Sequence, residues 1–392
     1  MTSILSAPGI LHQQLAMLNG ASAQLEFEAM SAPASQGAHR REELPTQRIQ
    51  NSYTCRFLTP SLTDPDNDFH LIAGSDVAPR AGDVVLARVV GIHNHKRVET
   101  EHSRKAILFE GHLVLLAYGH RYAADQFLAH IPDSLDYCHL VAAGGIAGVV
   151  TEQHAGIDEP TLIEPLGLLA RDGVVVNVME YAPHVNVSRP EAPRKTTEVI
   201  AVLGTSMNSG KSTTAACMIN GFTKAGKRVG AGKITGTGAG NDRNLFIDAG
   251  AADVVDFTDF GYGTTFRLDF NQVRDLTANM IELLSHNNDV VIVEIADGIY
   301  QDETVRLLRD DIFQASVDRL VFSAVDALGA RAGVQTLQEA GLSVACASGV
   351  MTSSPLAARE AAAVLLDLDV PVINTFELCE PQVVEAFISQ GQ

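Results

Sequence analysis

Ile200-Ala-Val-Leu-Gly-Thr-Ser-Met-Asn-Ser-Gly-Lys-Ser-Thr213 is an apolar run that passes into a glycine-bounded loop and closes on Gly210-Lys211-Ser212. That order of residues suits a phosphate-binding loop. The turning amides point at phosphate oxygens, Lys211 reaches the β- and γ-phosphates, the Ser212 hydroxyl can ligate Mg²⁺, and the helix that follows presents its positive N-terminal end. Asn208, Ser209, Gly210, Lys211, Ser212 and Thr213 are the expected cofactor-binding residues. The spacing is unusual: five residues separate Gly204 from Gly210, and Thr205 stands where the first glycine of the loop is common.

A glycine-rich turn that binds nothing is the competing reading, and the flanks count against it. Residues 198–203 are apolar and β-branched enough for a buried parallel strand, and Ala215, Met218, Ile219 and Phe222 then recur at helical spacing. Further along, strands are expected at 198–203, 228–234, 289–295, 319–325, 343–347 and 370–374, with helices at 211–225, 270–285, 328–340, 355–366 and 380–389. Such alternation implies an α/β P-loop domain of three layers on a mostly parallel sheet, with ligands at the carboxyl ends of the strands.

Upstream the character differs. Residues 51–186 carry short β-branched runs separated by Gly, Asp and Asn, the pattern of a β-rich α+β domain. Residues 1–50 read as an arm, with a helix candidate at Ile10–Leu18 followed by a polar, flexible stretch; residues 187–197, with Pro190, Pro193 and three basic side chains, read as a linker to the P-loop domain at 198–392. The small residues of Ala142–Val150 would let another backbone or a ligand approach closely.

The 392-residue chain is 46% hydrophobic, enough for two domains, and its net charge of −19 argues against a nucleic-acid or anionic-membrane partner. Five scattered cysteines without a CxxC pair fit a reducing cytosol. With no basic n-region and no apolar stretch of spanning length, a cytoplasmic protein is expected.

Three later segments hold candidate chemistry. Asp289-Val-Val-Ile-Val-Glu-Ile-Ala-Asp-Gly298 is a strand ending in two acids, of which Glu294 is the better placed to hold Mg²⁺ and Asp297 the second. Lys233-Ile-Thr-Gly-Thr-Gly-Ala-Gly-Asn-Asp242 sets a lysine at a strand end before a glycine-rich loop and an acid; Lys233 can neutralise developing charge, and Asp242 can complete the metal shell or activate a nucleophile. A mobile surface loop is its competing reading. Asp256–Phe266 alternates aromatics with glycines and fits either a substrate wall or a packed connection. His93, His95 and His102, near Glu99 and Glu101, are expected to be solvent-exposed rather than metal ligands.

These pieces resemble dethiobiotin synthetase. Gly204–Thr213 has that family's long loop, Lys233 is similar to its substrate-side lysine, Asp242 to its metal-binding aspartate, and Glu294-Ile-Ala-Asp-Gly298 to its Glu-Gly-Ala-Gly-Gly segment. Two positions depart from it: Ser206 replaces an acid and Asp297 a glycine. The resemblance spans about residues 198–380 and implies ATP and Mg²⁺ as cofactors. It further implies catalytic roles for Lys211, Lys233 and Asp242, a metal shell of Ser212, Asp242 and Glu294, and a homodimer by analogy. The expected function is an ATP-dependent kinase or ligase acting on a small metabolite. One alternative is an acyltransferase similar to D-glutamate N-acetyltransferases, with coenzyme A phosphates in the loop; another is a nucleotide-driven switch or metallochaperone. A guanine-reading Asn-Lys-x-Asp is reduced at Ser323-Ala-Val-Asp326 to its aspartate, which favours ATP.

Overall fold

Alternation inside a single strand organises the second half of the molecule. In the computed structural model, which describes residues 39–184, 188 and 197–389, Val199, Ala201 and Leu203 of β1 (Glu198–Gly204) face one side of a sheet, and Ile200 and Val202 face the other. Each set joins its own apolar cluster, so the strand is buried on both faces, as a central parallel strand must be. Its companions are β2 (Val229–Lys233), β3 (Asp253–Asp256), β4 (Val290–Glu294), β5 (Arg319–Ser323) and β6 (Val344–Ser348). The order is β3-β2-β4-β1-β5-β6, with all neighbours parallel.

Helices α1 (Lys211–Lys224), α2 (Gly240–Asp248), α3 (Phe270–Ser285), α4 (Asp302–Leu307), α5 (Asp311–Ser316), α6 (Ala327–Glu339), α7 (Pro355–Leu365) and α8 (Pro381–Ser389) complete the layers. Met218, Ile219 and Phe222 of α1, Phe246 of α2 and Phe387 of α8 cover the Ile200 face; side chains of α3 to α7 cover the Val199 face. Chain order reverses beside β1, so the loops after β1 and β4 open on the crevice where such sheets bind ligands. This is an α/β P-loop fold of three layers.

Before it lies a β-rich half. Its main sheet has eleven strands, mostly antiparallel, built on the long strand Thr161–Arg171, which pairs with Val84–Gly91, Phe69–Ala73 and Cys138–Ala142. Both halves belong to one compact unit, residues 38–392. Among the described residues no helix is long and apolar enough to cross a membrane.

Several boundaries differ from the expected ones. Arg40–Glu43 and Ile49–Asn51, inside the stretch read as an arm, are strands paired with Phe69–Ala73 and Leu113–Tyr118. The strand expected at 370–374 reduces to one bridge, Ala347 to Val372. The supposed loop at 233–242 already starts α2 at Gly240, because its cap comes from a distant part of the chain. Residues 1–38, with the Ile10–Leu18 helix candidate, and most of the 187–197 linker lie outside the described residues.

Candidate functional site

The loop after β1 is held in shape by backbone geometry that tolerates few residues. A side chain at Gly204 would overlap the Ser209 hydroxyl and lie 2.7 Å from the Ser323 carbonyl oxygen. Gly210 takes a left-handed φ of 95° at the start of α1, where glycine carries no penalty. Asn208 is also left-handed, with φ 61°, and its amide donates to Asp125 Oδ2 of the β-rich half at 2.8 Å. Ser209 is buried, its carbonyl accepts from the Val350 amide at 3.0 Å, and its hydroxyl has no partner. Thr213 is exposed on the first turn of α1.

Lys211, though buried, spends its ammonium on the Ser206 carbonyl at 2.7 Å, within the loop itself. Burial draws its pKa down, and Glu294 and Asp297 pull in the opposite direction. The Ser212 hydroxyl donates to Glu294 Oε1 at 3.2 Å, while the other carboxylate oxygen, Oε2, is buried without a partner. β2 and β4 are register neighbours, with Lys233 opposite Glu294, so sheet pairing alone sets these two side chains beside each other. Lys233 hydrogen-bonds Asp242 on the first turn of α2 and lies 3.7 Å from Glu294.

The charges in this cluster are strongly coupled. Burial opposes the charge on Lys233, yet Glu294 and Asp242 outweigh it and hold the ammonium above its usual range. For Asp242 burial also works against ionisation, but Lys233 holds it below the usual carboxylate range. Glu294 and Asp297 go the other way, since burial raises both by more than the nearby lysines lower them. The structure therefore brings together Lys211, Ser212, Lys233, Asp242 and Glu294, with Asp297 at the edge in a left-handed turn, φ 64°. Among the described residues no group of three or more His, Cys, Asp and Glu is disposed to hold a metal by itself.

The β-rich half closes over this cluster. A cavity of about 630 Å³ is lined on one side by the loop, Lys233, Asp242 and Asp297, and on the other by His95, Arg121 and Gln126. Glu99 crosses the seam to accept from the Gly240 amide at 2.8 Å, which caps α2 from outside, because Ala239 at its N-cap has no side-chain acceptor. A side chain at Gly144 would run into the Gly238 carbonyl, so the small residues of 142–150 serve a close backbone approach between the halves. Tyr53 donates to Asp256 Oδ2 at 3.0 Å, and Arg56 and Arg243 both pair with Asp259. Phe257, Phe260 and Tyr262 are buried, so the 256–266 segment is a packed connection and not a lid.

Arg121, Asp125 and Gln126 carry no local motif in the sequence, and Glu99, expected only as an acid near exposed histidines, is buried and caps α2. The available signal was an arginine three residues past the apolar strand Leu113–Tyr118, close enough to be drawn into the core beside it. His93 and His102 are exposed, but His95 is not: it packs against Phe127 and Arg121, which corrects the expectation for that residue.

No family model matches the chain, and no curated protein does. Solved structures do. The signal recognition particle receptor FtsY from Elizabethkingia anophelis is 17% identical over 54% of this chain and 74% of its own, TM-score 0.33. The signal recognition particle 54 kDa protein from Aeropyrum pernix K1, in complex with GDP, is 16% identical over 54% of this chain and 53% of its own, TM-score 0.36. Chloroplast FtsY from Physcomitrella patens is 14% identical over 54% and 70%, TM-score 0.35. These neighbours are signal-recognition-particle proteins and not dethiobiotin synthetases, which corrects the resemblance drawn from the sequence. The reason is physical: a strand, a glycine loop and a lysine-led helix serve any phosphate, and the 233–242 segment that extended the match is shaped here by Glu99 of the other half. The fold is of the P-loop type, as the parallel strand order and the loop between β1 and α1 show.

Proposed function

We propose that this chain binds and hydrolyses a Mg²⁺-bound nucleoside triphosphate, and that nucleotide state is coupled to a second, small ligand held by the β-rich half in the same chamber. The observation that carries this reading is the unpartnered Glu294 Oε2. It belongs to a carboxylate only 2% exposed at the foot of the loop, tied to Ser212 and next to Asp242. Leaving such an atom unsatisfied is costly, and a cation repays it. Two carboxylates and a hydroxyl fit Mg²⁺, a hard ion that takes its other ligands from phosphate and water. The ion would neutralise charge gathering on the phosphoryl oxygens. Lys211 would exchange the Ser206 carbonyl for phosphate oxygens, and Lys233 would hold Asp242 and Glu294 in place.

Coupling is favoured over a plain kinase or ligase because the loop is bonded across the seam through Asn208 and Asp125. Any rearrangement of the loop on nucleotide binding pulls on the wall that faces the second ligand. ATP is favoured over GTP: Asp326, the remnant of the guanine signature, is occupied in accepting from the Gly329 amide at 2.7 Å as the cap of α6. A second reading, acyl transfer with coenzyme A phosphates in the loop, is favoured by one observation. Lys233 sets a cation against both Asp242 and Glu294, in the place where a metal would otherwise offset their charge.

Calorimetry with ATP, GTP and coenzyme A, each with Mg²⁺ and with EDTA, separates these readings. MgATP should bind best, EDTA should weaken it, and Lys211→Ala should cost roughly 10- to 100-fold, the worth of a charge-assisted phosphate contact. Tight coenzyme A binding that ignores EDTA would transfer the assignment to acyl transfer.

A further inference from the structure

Arg121 sits in the short strand Arg121–Tyr122, only 7% exposed, and lines the chamber on the side away from the phosphate loop. Its guanidinium donates to Gln126 Oε1 at 2.9 Å and faces His95 Nε2 at 3.4 Å, while its Nε is buried and has no partner. Among the described residues no carboxylate lies within ion-pair distance of it. The acids whose charges act on it are Asp125 and Asp297; Asp125 Oδ2 accepts from Asn208 while its Oδ1 is buried without a partner, and Glu99, on the same chamber wall, accepts from the Gly240 amide and the Ser103 hydroxyl. Asp125 and Asp297 temper the cost of burying this guanidinium from a distance, but no acid pairs with it directly and its Nε stays unsatisfied, so a planar anion in the chamber would complete it.

We infer that Arg121, with Gln126 and His95 as its supports, forms a carboxylate-binding subsite, so that the second ligand of the chamber is a small carboxylic acid. The inference rests on the two-ligand reading of the chamber proposed above. His95 faces one terminal nitrogen of the guanidinium and Gln126 accepts from the other, which leaves Nε as the nitrogen still without a partner for a planar oxyanion. Phosphate is less well served there, with one free edge, and the phosphate donors of this molecule are gathered at the P-loop instead. Burial and the adjacent Arg121 push the His95 pKa down to about 4, so the ring is neutral at physiological pH and adds no competing charge. Burial lowers the Arg121 pKa to about 10, which leaves the guanidinium charged. Lys105 on the same rim adds a second cation in a chain of net charge −19.

The test is calorimetry on the full chain with a panel of small carboxylates (acetate, lactate, succinate, malate, glutamate), their amide counterparts and inorganic phosphate, followed by NMR of ε1-labelled histidines. At least one carboxylate should bind and shift the His95 resonance, with its amide counterpart silent. Arg121→Gln should weaken that carboxylate by roughly tenfold or more, and Arg121→Lys, which keeps the charge and loses the fork, should fall between. A panel that leaves His95 unmoved overturns the assignment, as does an Arg121→Gln response equal to that of the natural chain. Phosphate competing as well as the best carboxylate overturns the choice of ligand. Titrating the natural chain with MgATP in parallel keeps the two proposals apart: failure of nucleotide to bind sinks the reading of the loop, whereas a carboxylate response would stand without it.

Discussion

In the proposed reading, Glu294 is the residue on which the loop chemistry turns. Its burial raises its pKa, and Ser212 and Lys233 satisfy only one of its two oxygens. Glu294→Gln keeps the shape and removes the charge, so the affinity for MgATP should fall to the value measured in EDTA; an unchanged Mg²⁺ dependence in the titration would contradict its role. Gly204 makes a separate, steric prediction. A methyl group there meets the Ser209 hydroxyl and the Ser323 carbonyl, and Ser323 belongs to the neighbouring strand, which cannot yield. Gly204→Ala should therefore cost about 1–3 kcal/mol in a denaturant melt and weaken nucleotide binding along with it. Gly204 and Lys211 were legible in the sequence because local backbone demands dictate both. Arg121 was not, since its meaning depends on which acids lie beside it after folding.

At the scale of elements, α2 shows how one half completes the other. Its N-cap, Ala239, offers no acceptor, and the carboxylate of Glu99 supplies one from a hairpin more than a hundred residues earlier. Glu99→Ala should cost about 1–2 kcal/mol through the lost cap, whereas Glu99→Gln, which still accepts a hydrogen bond, should cost about 0.5–1 kcal/mol; paired urea melts distinguish them. This explains why α2 is not legible in the sequence: Gly236, Gly238 and Gly240 signal a loop, and the N-cap position itself holds Ala239, with Asn241 and Asp242 falling too late to cap the helix. The central strands and α1, α3, α6 and α7 were legible to within a residue or two, because their apolar spacing is read locally. The 370–374 stretch looked apolar enough for a strand, but only Val372 finds a backbone partner in β6.

For the whole molecule, buried and half-buried histidines contribute to the response to acid. His95 is held neutral by burial and by Arg121, with a pKa of about 4, and His120 and His139 are lowered to about 4 by burial as well. A group depressed in this way stabilises the fold fully above the unfolded value near 6.5, and the contribution is lost as pH falls towards 4. For His95 the full loss is roughly 3 kcal/mol. Glu294 and Asp297, raised by burial, oppose the trend at the acid end. Thermal melts from pH 7.5 to 4.5 should show a falling midpoint, and His95→Gln should flatten part of the slope; parallel curves would rule out His95 as a source. Half of the site was legible from the sequence, the half borne on consecutive strand ends. The opposite wall was not, since it is brought there by tertiary folding alone. The seam that joins these walls has a mechanical consequence. With Gly144 seated on Gly238, and Tyr53 and Arg56 bonded to Asp256 and Asp259, any clamp-like opening of the halves has to break these contacts together. A ligand that reaches the chamber while these contacts hold does so past its rim, with the two walls kept at a fixed spacing.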